Sequence, residues 1–154
     1  MKLWILAVGT RLTGPEKALF DEYADRFRKL GPQLGLRKLT VIDVASGPTP
    51  DAEAERLLAK LPSGATALRL DEHGENLPSE KLAHQIGQWR DRSVSDLVFL
   101  IGGASGFGEA ILKKCPNQIA FGAQTWPHRL VKIMLSEQLY RAATLLAGHP
   151  YHKA

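Results

Sequence analysis

The sequence predicts an α/β fold, a mainly parallel sheet with helices on both faces, and three observations carry that expectation. Short apolar, partly β-branched runs alternate with amphipathic helical patterns along the whole chain. Strand-like runs such as 96–101 and 118–121 lead into glycine-bearing loops, the usual punctuation between a strand and its crossover helix. A length of 154 residues, 44% hydrophobic and 23% charged, suits one core, and no repeat, low-complexity tract or long linker divides it. Residues 1–154 therefore read as a single domain.

The first strand is expected over 2–8. Its apolar run is too short for a signal-peptide core, and Thr10-Arg11 follows where a small-residue cleavage site would sit. A second strand, 36–45, is β-branched at Thr40, Val41, Ile42 and Val44. Further strands are expected over 65–70, 96–101 and 118–121. Thr13-Gly14-Pro15-Glu16 reads as a capping box opening a helix to about Lys29. Thr49-Pro50-Asp51 starts a second helix, Pro78-Ser79-Glu80 a third running to Arg92, and a short fourth follows Gly106 and ends near Cys115-Pro116. The last and longest helix spans about 127–147 and stops at Gly148. Its stripe of Leu130, Ile133, Met134, Leu139, Ala142, Ala143 and Leu146 reads as core or as a subunit interface.

No run approaches the roughly 18–20 apolar residues that span a bilayer, so no membrane association is expected and the chain reads as cytoplasmic. One cysteine, Cys115, excludes an internal disulfide and a cysteine zinc cluster. The net charge is +4, and the segment after residue 128 carries Arg129, Lys132, Arg141 and Lys153 against Glu137 alone. A basic tail with His149, Tyr151 and His152 suits an anionic partner such as nucleic acid, or is a solvated helix face.

In parallel sheets ligands bind beyond the carboxyl ends of the strands, so the loops after Leu70, Ile101 and Phe121 are the places to look. Gly102-Gly103-Ala104-Ser105-Gly106-Phe107-Gly108 allows close backbone approach to a ligand, or is simply a tight turn. It matches neither the dinucleotide fingerprint nor a Walker loop. Ala120-Phe121-Gly122-Ala123-Gln124-Thr125-Trp126-Pro127-His128 can wrap a flat ring, while Trp126 also reads as a hydrophobic staple. The tail 148–154 offers acid–base or stacking groups, with a His149/His152 metal pair as the competing reading; no metal is expected, for want of a third ligand. His73 and His84 read as isolated and Cys115 as a buried bystander. No Gly-x-Ser-x-Gly elbow accompanies the serines.

Taken together, Leu100-Ile101-Gly102-Gly103, Thr125-Trp126-Pro127-His128, Glu137-Gln138-Leu139-Tyr140-Arg141-Ala142 and the closing His149-Pro150-Tyr151-His152 resemble the RlmH-type ribosomal RNA methyltransferases of the SPOUT class. The resemblance runs end to end, and the spacing from Gly-Gly to the terminal His-Pro-Tyr-His is its most specific part. It implies a SPOUT-like α/β knot, with the C-terminal part of the chain threaded into a trefoil, which no composition or periodicity would suggest. It also implies a homodimer, S-adenosyl-L-methionine as cofactor, and methylation of N3 of a pseudouridine in the helix 69 stem-loop of 23S rRNA on the assembled ribosome. By position, the cofactor pocket would use Leu70, Gly103, Gly122, Ala123, Gln124, Thr125, Trp126 and Pro127. Arg141, Tyr151 and His152 would stand near the methyl acceptor. One departure is Ala104-Ser105, where many relatives carry an acidic residue after Gly-Gly. Arg129, Lys132 and Lys153, with the Arg26/Arg28/Lys29 and Arg37/Lys38 clusters, are expected phosphate contacts. Alternatives are a non-catalytic ribosome-binding or RNA-binding module, which leaves the glycine loop without a purpose, and a flavodoxin-like nucleotide-binding protein.

Overall fold

The computed structural model describes residues 1–9 and 11–153. Thr10, part of the reading that set a leader aside, and Ala154, the end of the tail, lie outside the described residues. Five strands form one sheet in the order β2-β1-β4-β3-β5, and every pairing is parallel. They are β1 (Lys2–Val8), β2 (Lys38–Val44), β3 (Thr66–Asn76), β4 (Asp96–Ile101) and β5 (Gln118–Ala120). The helices are α1 (Gly14–Leu30), α2 (Pro50–Leu58), α3 (Ser79–Asp91), α4 (Glu109–Lys114) and α5 (His128–Leu146), and short 3-10 turns cover Gly31–Leu34 and Pro150–Lys153.

A parallel sheet needs a crossover between successive strands and hides both faces beneath them. Period-two alternation divides the central strands accordingly. Leu3, Ile5 and Ala7 of β1 and Leu97, Phe99 and Ile101 of β4 enter one core with Phe20 and Phe27 of α1, Ile86 of α3 and Leu139 of α5. Leu6, Val8, Val98 and Leu100 enter the other with Leu57 of α2 and Ile111 of α4. Truncating a fully buried aromatic such as Phe27 would cost about 3–5 kcal/mol.

Two local expectations fail. Thr13 gives α1 no side-chain cap, and Glu16 instead faces Arg129 across the helix pair. Thr49 does cap α2, its Oγ1 accepting from the Ala52 N–H at 3.1 Å. The larger difference is β3, which continues past Leu70 through Asp71-Glu72-His73-Gly74-Glu75-Asn76, with a register break against β5 between Leu70 and Glu75. That stretch is polar and poor in β-formers, so propensity hides it. Gly74 permits it, since a Cβ there would lie 2.5 Å from the Ile119 carbonyl carbon. Buried Arg69 ties β3 to β5, donating to the Cys115 carbonyl at 2.8 Å and to Gln118 at 3.0 Å. The α5 stripe is mostly core: Ile133, Leu139, Ala142 and Ala143 are buried within the chain, whereas Leu130 is exposed. No described helix is long and apolar enough to cross a membrane.

Candidate functional site

The carboxyl ends of the neighbouring strands β4, β3 and β5 open a cleft of about 250 Å3. The loop after β4 closes on itself, the Gly106 N–H donating to the Gly103 carbonyl at 3.0 Å, so Gly102 and Gly103 are buried beneath the cleft. His128, the first residue of α5, contacts the Gly102 carbonyl through Nδ1 and joins this loop to the one after β5.

The loop 121–127 is held from two sides. The Gly122 N–H donates to Asn76 Oδ1 at 3.0 Å, and the Thr125 hydroxyl to Glu72 Oε2 at 2.6 Å, both on the unforeseen extension of β3. Gly122 has φ of 97°, a conformation that favours glycine. Trp126 is no staple: it is 39% exposed, and its indole N–H donates to the Phe121 carbonyl at 2.9 Å, folding the loop over itself.

Of the residues expected at a cofactor, Leu70, Gly103, Gly122, Gln124, Thr125 and Trp126 line the cleft; Ala123 and Pro127 lie in the same loop but not on its wall. His128, the end of the Thr125–His128 motif, lines it too, and so do Asp71, Glu72 and His73, which sequence reasoning missed. The only signal was an Asp-Glu-His run directly after an expected strand end. His73, read as isolated, donates its backbone N–H to Asp71 Oδ1 at 2.9 Å, with its ring Nδ1 at 3.0 Å from the same oxygen. Partial burial works to raise the Asp71 carboxyl, but these bonds and the Arg69 charge outweigh it and hold the group below the usual carboxylate range.

Arg141, Tyr151 and His152 form a second cluster. The Arg141 guanidinium donates twice to Glu137 Oε1, at 2.9 and 2.7 Å, and the Tyr151 hydroxyl donates to the same oxygen at 3.1 Å. The guanidinium lies 4.9 Å from the Tyr151 ring centre, and the Tyr140 ring packs against the Tyr151 ring with centres 4.8 Å apart. Desolvation, then the Glu137 charge, pushes the Tyr151 phenol up to about 12. His152 Nε2 is 2.7 Å from Glu80 Oε1 on α3, and its Nδ1 is buried with no hydrogen-bond partner among the described residues. None of the three lines the strand-end cleft. Arg141 sits ten residues beyond Val131 on α5, about 15 Å along the axis at 1.5 Å per residue.

Two arrangements thus stand side by side: a glycine-floored cleft and an arginine–tyrosine–histidine cluster. The model of a predicted SPOUT methyltransferase family matches residues 1–152. The chain belongs to the SPOUT methyltransferase family. Full-length relatives carry the name ribosomal RNA large subunit methyltransferase H. The one from Hyphomonas neptunium is 52% identical over 154 residues, covering 100% of both chains. Those from Nitrobacter hamburgensis and Rhodopseudomonas palustris are 45% identical, with 99% of each chain covered, and 46% identical, with 100% of each covered.

Membership makes this chain a methyltransferase with the α/β architecture of the SPOUT fold. Such an enzyme needs a donor pocket and an acceptor pocket, and the surface charges near them are unevenly available. Lys132, expected at phosphate, is 3% exposed and paired with Asp43, so it serves the interior of the fold instead. Arg26 and Arg28 are exposed beside Glu22 and Asp25, and Arg129 beside Glu16. Among the described residues no group of three or more His, Cys, Asp or Glu could hold a metal.

Proposed function

We propose that the chain, one domain over residues 1–154, is an S-adenosyl-L-methionine-dependent enzyme of the cytoplasm. In this reading it methylates N3 of a pseudouridine in the helix 69 stem-loop of 23S rRNA, on the assembled ribosome. The observation that carries the reading is the full-length match to relatives named for the large-subunit rRNA, in a chain whose strand-end loops converge on one cleft.

The cleft suits that donor. Leu70, Ile101 and Phe107 offer apolar wall for a flat ring, and the backbone of 121–126 offers hydrogen bonds to its edge. Asp71 and Glu72 stand at the rim, where carboxylates complement a cation. Leu70, Gly103 and the 122–127 loop would hold the group. When bound, it supplies an already activated methyl, so the protein's task on this side is alignment and exclusion of water.

The acceptor side is harder, because a pseudouridine N3–H must lose its proton. His152, held against Glu80 through Nε2, is the residue assigned to take that proton. Arg141, held by Glu137, stabilises the ring anion that develops, and Tyr151 stacks on the base. The rise of roughly 15 Å along α5 from Val131 to Arg141 supports a homodimer in which one subunit's tail completes the other's cleft. His128 against the Gly102 carbonyl, and Gly122 and Thr125 against the β3 extension, support a C-terminal trefoil threaded between those elements.

Calorimetry with S-adenosylmethionine and S-adenosylhomocysteine tests the donor half. Binding of both is expected; no binding would favour a non-catalytic RNA-binding module, and a yellow, flavin-bearing protein a flavodoxin-like one. His152→Ala should lower methyl transfer while leaving cofactor affinity intact, and a matching loss of affinity would refute its assignment to the acceptor side.

A further inference from the structure

Glu53 of α2 is a buried carboxylate to which the reaction above gives no role. Only 8% exposed, it accepts the Gly47 N–H through Oε1 at 3.0 Å. Its other face meets the floor of the cleft. A Cβ at Gly103 would lie 2.5 Å from Glu53 Oε2, 3.0 Å from Oε1 and 3.1 Å from Cδ, so the whole carboxylate is packed against that α-carbon. The first turn of α2 also grips the far end of the same loop. Asp51 Oδ1 accepts the Glu109 N–H at 3.2 Å, and a Cβ at Gly108 would lie 2.5 Å from the Pro50 carbonyl oxygen. The Gly103 φ does not lie in the left-handed range, so backbone conformation does not require glycine there.

From this packing we infer that Glu53 is a positioning residue for the donor loop. Its carboxylate holds Gly102–Gly103 at the height where their backbone lines the cleft. The Glu53 carboxylate stands where a side chain at position 103 would go. A methyl group there displaces either the loop or the carboxylate, and the carboxylate can leave only by giving up the Gly47 N–H. The inference rests on reading this cleft as the donor site, and deepens it.

A double-mutant cycle on the full-length protein, read by calorimetry with S-adenosylhomocysteine, separates the possibilities. Gly103→Ala should weaken binding roughly ten-fold or more, as an overpacked contact does. Glu53→Ala should weaken it as well, raising KM for the donor while kcat is kept. In the double variant the methyl added at position 103 has room, so affinity should be no worse than in Glu53→Ala alone. Glu53→Gln fills the same volume and keeps an acceptor for Gly47, so it should bind as the parent does and should not rescue Gly103→Ala. Losses that simply multiply in the double variant, or parental affinity in Glu53→Ala, would overturn the inference. If the parent protein binds neither S-adenosylhomocysteine nor S-adenosylmethionine, the donor reading falls. The same cycle read in ligand-free thermal unfolding still decides whether Glu53 and Gly103 are coupled.

Discussion

Glu137 Oε1 receives three hydrogen bonds, two from Arg141 and one from the Tyr151 hydroxyl, so one carboxylate orients both groups assigned to the acceptor. Glu137→Gln removes the charge that holds them, and methyl transfer should fall about ten- to hundred-fold, the worth of one charged hydrogen bond. Donor affinity should not change; a parallel loss of affinity in calorimetry would contradict the separation of the two sites. The same contact has a pH signature. Tyr151 titrates near 10 when unfolded and is pushed up to about 12 when folded. A raised folded value means that its contribution to stability is complete below about pH 10 and is lost as pH climbs toward 12. Denaturant unfolding of the parent should weaken across that window, and Tyr151→Phe should flatten this part of the profile. Equal slopes in the two proteins would refute the shift. Residue types at this scale were legible: arginine, tyrosine and histidine near the end of the chain pointed to nucleic-acid chemistry. Glu137 stands at the i, i+4 spacing that pairs it with Arg141 within α5, whereas nothing marks Glu80, which meets His152 only once the tail packs on α3.

At the scale of elements, loop placement follows from strand order, and the three strand-end loops expected to bear chemistry do meet in one cleft. The alternation of apolar runs made this legible, since β1 and β4 are buried on both faces and read as continuous hydrophobic stretches. The β3 extension was illegible for the opposite reason. Asp71–Asn76 is polar, and its strand geometry comes from pairing with β5 and from Gly74 lying against the Ile119 backbone. The capping box failed similarly, because Glu16 finds Arg129 on a helix more than a hundred residues away and tertiary contact overrides the local pattern. The extension matters, since Asn76 and Glu72 hold the 121–127 loop. Gly122→Ala places a Cβ 2.8 Å from Gln124 Oε1 and strains a φ of 97°. It should destabilise the protein by about 1 kcal/mol or more and weaken donor binding out of proportion to that loss. Thermal unfolding and calorimetry together check this; parental affinity in Gly122→Ala would show that the loop is not part of the donor wall.

For the whole molecule, the central question is how a cleft at the strand ends and a cluster farther along α5 serve one reaction. Chain length and composition raise the expectation of one domain, the two faces of whose sheet carry separate cores, and the end-to-end resemblance carried the family. The threading proposed for the chain is beyond any periodicity argument, because a knot is a property of the closed path and not of any segment. Subunit exchange tests the composite arrangement. Gly122→Ala and His152→Ala are each expected to be poor enzymes. Mixed after mild dissociation they should recover transfer, because a mixed dimer keeps one intact cleft facing one intact tail; no recovery in a demonstrated mixed dimer would place both groups in the same subunit's site. The most direct measurement of the central claim is to incubate the protein with labelled S-adenosylmethionine and intact ribosomes, free subunits or naked 23S rRNA, then map the label by mass spectrometry. Label on N3 of a single pseudouridine in 23S rRNA is expected, with intact ribosomes preferred. Label on another nucleotide, or none on any RNA despite a bound donor, would contradict it.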